Sequence, residues 1–238
     1  MGHGKKIMSS KIYIVLGCKP WCREAFEKKI SKYPGKWHYF EKKEELSLEK
    51  LSVIKPEYLF FLHWSWLVPE KITEQYNCVC FHMADVPYGR GGSPLQNLIV
   101  RGHKDTKLTA LRMVKELDAG PVYMKKSMGL EGSAGEIYVR ANFLAADMIK
   151  EIIEKNPNPQ EQNGEAVIFE RRKPEESRIP EKIEKIEKLY DFIRMLDADS
   201  YPKAFLEYGN IRIEFNGAEL TEDGELKAGV VITKADNK

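Results

Sequence analysis

The chain has 238 residues, 42% of them hydrophobic and 31% charged. That is enough for one sizeable core with a small annex and too little for two full enzyme domains. A net charge of +2, from 38 basic and 36 acidic residues, gives none of the overall basicity of a nucleic-acid binder. No apolar run is long enough to span a bilayer, no signal-peptide pattern opens the chain, and a cytoplasmic protein is the expectation. Met1-Gly2-His3-Gly4 reads as a tag remnant, so His3 is set aside. Cys18, Cys22, Cys78 and Cys80 are the cysteines. Cys78 and Cys80 share one face of an apolar strand, which is poor geometry for chelating one metal. Buried thiols and no metal are expected.

In chain order, residues 11–17 read as an opening strand and 20–31 as a helix, closed by Tyr33-Pro34-Gly35. A strand at 37–40, a helix at 46–54, a buried strand at 57–63, a short helix at 69–75 and a buried strand at 78–82 follow. Strands alternating with helices predict an α/β fold: a Rossmann-like, mostly parallel sheet with helices on both faces. Sites in such sheets form at the carboxyl ends of strands, where His63 and His82 stand. Ser93-Pro94 predicts a helix over 93–101, with serine as N-cap and proline first. A strand at 106–113 and its hairpin partner at 121–127 come next. Residues 133–155 carry a long helical pattern opened by a capping box, Ser133-Ala134-Gly135-Glu136. After the polar loop 156–164 the composition becomes highly charged. A helical apolar pattern over 183–196 offers a face for packing or for a homodimer, and short strands are expected at 211–215 and 230–233. The division predicted is a catalytic domain over 1–178 and a small C-terminal α+β annex over 179–238.

The chemistry concentrates after Phe81. His82 ends a buried strand and meets a turn containing Pro87, Gly89, Gly91 and Gly92, where backbone can approach a ligand closely. A lone histidine there is more often structural. Its glycine-rich turn and the helix N-terminus after it favour a proton-handling role. Asp118, 36 residues on, precedes Ala119-Gly120. Read alone, it is first a turn-forming aspartate.

These segments resemble the folate-dependent formyltransferases. The resemblance rests on Phe81-His82 through Pro94, on residues 109–120 (TALRMVKELDAG), on Lys55-Pro56-Glu57 with Leu67-Val68-Pro69, and on Phe169 through Ile179. It covers roughly residues 11–180. It implies transfer of a formyl group from N10-formyltetrahydrofolate to an amine. His82 matches the family histidine that steadies the oxyanion, and Asp118 the aspartate that orients it or takes the amine proton. The family places an asparagine two residues before the histidine; Cys80 stands there, a much weaker donor. The resemblance further implies that Trp64, Trp66, Leu67, Lys115 and Leu117 hold the folate. Trp64 and Trp66 have an alternative as core aromatics, but a folate site explains their clustering better.

The turn sequence around Pro87 looks most like sugar N-formyltransferases of the pseudaminic-acid type. That likeness makes the expected acceptor the 4-amine of a UDP-linked 4-amino-4,6-dideoxy sugar, with Asp85 and Arg90 as substrate contacts. The near-neutral charge and short tail argue against tRNA, so the expected partner is a nucleotide sugar, with no nucleic acid and no membrane. The alternatives are another amine, such as an aminoacyl group, and a folate- or nucleotide-binding homologue with weak or no catalysis.

Overall fold

A computed structural model describes residues 11–235, so the tag-like opening lies outside the described residues. Four consecutive buried residues make β3 (Tyr58–Phe61) a central strand covered on both faces. It lies beside β1 (Ile12–Leu16) and β4 (Cys78–His82), parallel to both, and β1 pairs in parallel with β2 (Lys36–Phe40) on its other side. β5 (Tyr88–Gly91) leaves this sheet, which continues through β6 (Asp105–Arg112) and β7 (Val122–Gly129) in the order β2-β1-β3-β4-β6-β7. The α/β reading stands, with helices α1 (Pro20–Lys28), α2 (Leu48–Ile54), α3 (Glu70–Gln75), α4 (Pro94–Val100) and the 22-residue α5 (Ala134–Lys155) between strands.

Local chemistry sets several boundaries. Ser47 caps α2 by accepting from the Lys50 amide, and Lys55 ends it in the left-handed region at φ 52°. The capping box of α5 forms: Ser133 Oγ accepts from the Glu136 amide, and the Glu136 carboxylate accepts from the Ser133 amide at 2.8 Å. Ser93 departs from its predicted role. It adopts φ 48° without capping α4, and its hydroxyl accepts from the Arg172 amide at 3.1 Å. The pull comes from β8 (Val167–Phe169), which pairs in parallel with β5 and brings Arg172 to Ser93. Neither strand is legible in the sequence, because β5 is half glycine and their pairing is non-local.

The chain divides into two compact units. One comprises the described part of Met1–Phe81 with Ala110–Met124 and Asn142–Glu161. Its core includes Ile14, Leu16, Phe40, Leu51, Leu59, Phe61, Ile72 and Cys78. The other comprises His82–Thr109, Lys125–Ala141 and the remainder from Gln162. It holds α6 (Ile186–Arg194) and a three-stranded antiparallel sheet of β9 (Ala204–Tyr208), β10 (Ile211–Leu220) and β11 (Leu226–Lys234). The predicted helix thus shortens to α6, which packs on α4 and β10. No helix among the described residues is long and apolar enough to cross a membrane.

A buried ion pair anchors α6. Arg194 Nε donates to Asp191 Oδ1 at 2.8 Å, and its Nη1 donates to the carbonyls of Leu130 and Gly132; Arg194 is 3% exposed and Asp191 6%. Removing one partner strands a buried charge, so Arg194→Met should cost about 3–5 kcal/mol, read as a lower urea midpoint at unchanged slope. The double variant Arg194→Met/Asp191→Leu should be milder than the single one. A single variant of wild-type stability would contradict the anchoring role.

Candidate active site

β4 delivers two of the predicted site residues on one strand. Side chains two apart on a strand point to the same side, so Cys78, Cys80 and His82 share a face. Cys80 lies beside Phe61 in the sheet register and packs against the apolar cluster named above, as do Trp64 and Met113. Its thiol is held well above the ordinary range, first by burial and second by the negative charge of Asp118. The structure therefore brings Cys80 and Asp118 together, and Cys80 stays an S–H group at neutral pH. That removes the chemistry a nucleophilic cysteine would need.

His82 is buried, and its Nε2 lies 2.7 Å from the Gly89 carbonyl oxygen. A carbonyl only accepts, so Nε2 carries the hydrogen and Nδ1 is the nitrogen that gains or yields a proton. The glycine-rich turn thereby acts on the histidine itself. A backbone carbonyl in this role leaves no trace in residue type, and no sequence signal marks it. Gly89 has φ 80°, and a Cβ there would meet Ala84 and Phe169 at 2.9 and 2.8 Å.

Asp118 sits at φ 55° in the turn joining β6 to β7. The turn is closed at its base by the Arg112 amide donating to the Pro121 carbonyl at 2.8 Å. Gly120 is obligatory there, because a Cβ would fall 1.8 Å from the Arg112 carbonyl oxygen. The close approach explains the glycine of Asp-Ala-Gly, while Asp118 occupies the left-handed region that aspartate enters more readily than most residues.

The five residues expected to hold folate lie on two loops of one compact unit. Lys115 Nζ reaches Glu70 at 3.2 Å, which ties the 113–120 loop to the start of α3. Trp64 and Trp66 meet edge to face at 4.8 Å between centroids. Leu67 is 90% exposed and Leu117 62%, and Trp66 also reaches solvent. Trp64 Nε1 is buried with no hydrogen-bond partner. Buried donors are nearly always satisfied, so an acceptor from a bound molecule would suit this one. A flat ring with polar edges and apolar faces fits such residues.

Asp85 and Arg90 are engaged within the protein. Asp85 bridges Lys125 at 2.5 Å and Lys107 at 2.9 Å. Partial burial raises its pKa, but the two lysines outweigh it and hold the carboxyl below its ordinary range. Arg90 donates through Nε and Nη2 to Gln162 Oε1 at 3.0 and 2.9 Å. Among the described residues no group of His, Cys, Asp and Glu is arranged to hold a metal ion.

Residues 174–233 match the model of the methionyl-tRNA formyltransferase C-terminal domain. A methionyl-tRNA formyltransferase of Lactobacillus johnsonii is 27% identical over 198 residues, 78% of this chain and 62% of that protein. The chain spans about three fifths of the length of the curated relatives it matches. The solved methionyl-tRNA formyltransferase from Clostridium thermocellum is 44% identical, with a TM-score of 0.87, over 95% of this chain and 100% of that one. HypX from Aquifex aeolicus in complex with tetrahydrofolic acid shares the fold at 17% identity and TM-score 0.71, over 91% of this chain and 40% of that one.

These relatives overturn the nucleotide-sugar reading, and with it the pseudaminic-acid assignment and the exclusion of a nucleic-acid partner. Both misreadings have a physical source. Net charge is a sum and is blind to where the charges lie, so +2 is compatible with a local basic surface such as Arg171-Arg172-Lys173. The short tail was weighed by length, whereas its α6 and three-stranded sheet fall within the matched C-terminal region. At 44% identity over the full length of a solved relative, the chain belongs to the formyltransferase family.

Proposed function

We propose that this protein transfers a formyl group from N10-formyltetrahydrofolate to the α-amine of methionyl-tRNA. The observation that carries the reading is β4, where Cys80 lies beside Asp118 and His82 has its tautomer set by Gly89. The named relatives supply the acceptor. With that acceptor, the reaction belongs in the cytoplasm. The division near residue 178 is kept as a proposal, supported by a C-terminal match that begins at residue 174.

The folate supplies an activated formyl carbon, and Trp64, Trp66, Leu67, Lys115 and Leu117 are proposed to hold its ring system. The neutral amine adds to that carbon, giving a tetrahedral oxyanion that collapses with loss of tetrahydrofolate. His82, donating through a protonated Nδ1, stabilises the oxygen as it becomes negative. The Asp118 carboxylate takes the proton that the amine loses, through water, and N10 of the departing tetrahydrofolate takes up a proton as the carbon–nitrogen bond breaks. Cys80 offers the oxyanion a thiol hydrogen in place of an amide. Asp85 and Arg90, already paired internally, are proposed to shape the turn beside His82, so that acceptor contacts reach them only through backbone.

Formylation of methionyl-tRNA should fall by roughly 10²–10⁴-fold in His82→Ala and in Asp118→Asn, with folate binding retained. Wild-type rates in either variant would defeat the assignment. One oxyanion donor is worth on the order of 3 kcal/mol, so Cys80→Asn should raise kcat by at least about tenfold with little change in KM. An unchanged kcat would mean that another donor already serves the oxyanion.

A pH-dependent readout tests the Cys80–Asp118 pairing separately. The negative carboxylate disfavours the thiolate and raises its pKa. Asp118→Asn should therefore move Cys80 alkylation, followed by peptide mass mapping, to lower pH than in the wild type. Identical profiles would show that the two groups do not interact.

A further inference from the structure

The chain leaves β4 at His82 and returns so that the Gly89 carbonyl oxygen lies 2.7 Å from Nε2 of that histidine. Four successive carbonyls of the returning segment are each held. The Thr109 hydroxyl donates to Ala84 at 2.7 Å, the Tyr88 amide to Asp85 at 3.2 Å, Lys125 Nζ to Val86 at 2.5 Å and the Val167 amide to Pro87 at 3.1 Å. Lys125 alone among these donors is charged. Its ammonium also donates to Asp85 Oδ1 at 2.5 Å, while Lys107 reaches Oδ2 at 2.9 Å. Lys125, on β7, therefore grips the turn through both a side chain and a backbone carbonyl, and Lys107, on β6, through the side chain only. An exposed lysine–aspartate pair contributes little to a fold and is screened by salt. This pair differs, because the Lys125 side chain is 28% exposed and Val86, whose carbonyl it holds, is buried. A charge-assisted bond to such a carbonyl is costly to lose, since the oxygen is left unsatisfied.

We propose that Lys125 is a positioning residue for His82. By holding the Val86 carbonyl and the Asp85 carboxylate together, it fixes the path of the turn, hence where the Gly89 carbonyl stands and which imidazole nitrogen bears the hydrogen. The proposal rests on the formyl-transfer reading of His82. Position matters at this scale, because a misplacement of about 1 Å can cost roughly a hundredfold in rate. The other anchors suit the role less well. Thr109 is fully buried within the sheet, and the Tyr88 and Val167 donors are backbone amides common to any residue but proline. Lys125 is the anchor whose side chain gives the turn a specific hold and reaches solvent.

The test uses the full chain and the variants Lys125→Met and Lys107→Met, each first shown to be folded by circular dichroism and cooperative melting. Lys125→Gln, which also loses the charge, takes the place of Lys125→Met if methionine is not tolerated. The His82 tautomer is read without substrates, from proton–nitrogen correlations of the imidazole at alkaline pH, with the His82 signals assigned by their absence in His82→Ala. Wild type should show the Nε2–H form alone, and Lys125→Met a mixture with the Nδ1–H form. In steady-state formylation of methionyl-tRNA, Lys125→Met should lower kcat roughly 10–100-fold with KM for both substrates within about twofold, and Lys107→Met should lower kcat by less than about threefold. A pure Nε2–H signal in Lys125→Met would overturn the proposal whatever the rate. A loss confined to KM would also overturn it, placing Lys125 in acceptor binding. So would equal losses in the two lysine variants, which would put the effect in the charges around Asp85 rather than in the tether to Val86. A wild type that forms no formylmethionyl-tRNA would defeat the acceptor reading, and the tautomer comparison would still decide the role of Lys125.

Discussion

The site depends on the course of β4, whose pleat puts Cys80 and His82 on one side of the strand. Cys80 belongs to a strand held inside a parallel sheet, where burial disfavours its charged form, and Asp118 adds a like-charge penalty. The thiol therefore keeps its hydrogen. Two residues further along the strand, the Gly89 carbonyl holds one imidazole nitrogen of His82 and decides which nitrogen does proton chemistry. The roles proposed for Cys80, Asp118 and His82 rest on these two local arrangements. The turn carrying Asp118 meets the same demand by steric means, since the Arg112 carbonyl leaves room for glycine alone at position 120.

The C-terminal region obeys a different economy. Its helix is fixed by an arginine whose charge is matched by Asp191 and by two backbone carbonyls, so the ion pair orients α6 while its apolar residues fill the core. The sheet that follows gathers Leu206, Tyr208, Ile211, Ile213, Val230 and Ile232 on one side, most of them well exposed. The part of the chain that matches the methionyl-tRNA formyltransferase C-terminal domain is therefore anchored at its helix and open at its sheet.

The central strands were legible because burial on both faces leaves continuous apolar runs such as Tyr58–Phe61 and Cys78–His82. The capping box at Ser133 was legible because it is a local exchange of two hydrogen bonds. Ser93 misled because its hydroxyl is taken by an amide 79 residues away. β5 and β8 were missed because short strands paired across the chain carry no periodicity of their own. Among the candidate site residues, His82 stands out by its glycine-rich turn and Asp118 only through the family resemblance, and neither the Gly89 carbonyl beside the histidine nor the close approach at Gly120 leaves a mark in residue type. The acceptor was misassigned from whole-chain charge and tail length, two quantities that average over the surfaces where recognition occurs.

The most direct test is the chemical identity of the product. The protein would be incubated with N10-formyltetrahydrofolate and methionyl-tRNA, the RNA digested with nuclease, and the aminoacyl-adenosine weighed by mass spectrometry. The account predicts N-formylmethionyl-adenosine with wild type and none above background with His82→Ala. Unformylated methionyl-adenosine from a wild-type protein that binds the folate would contradict it.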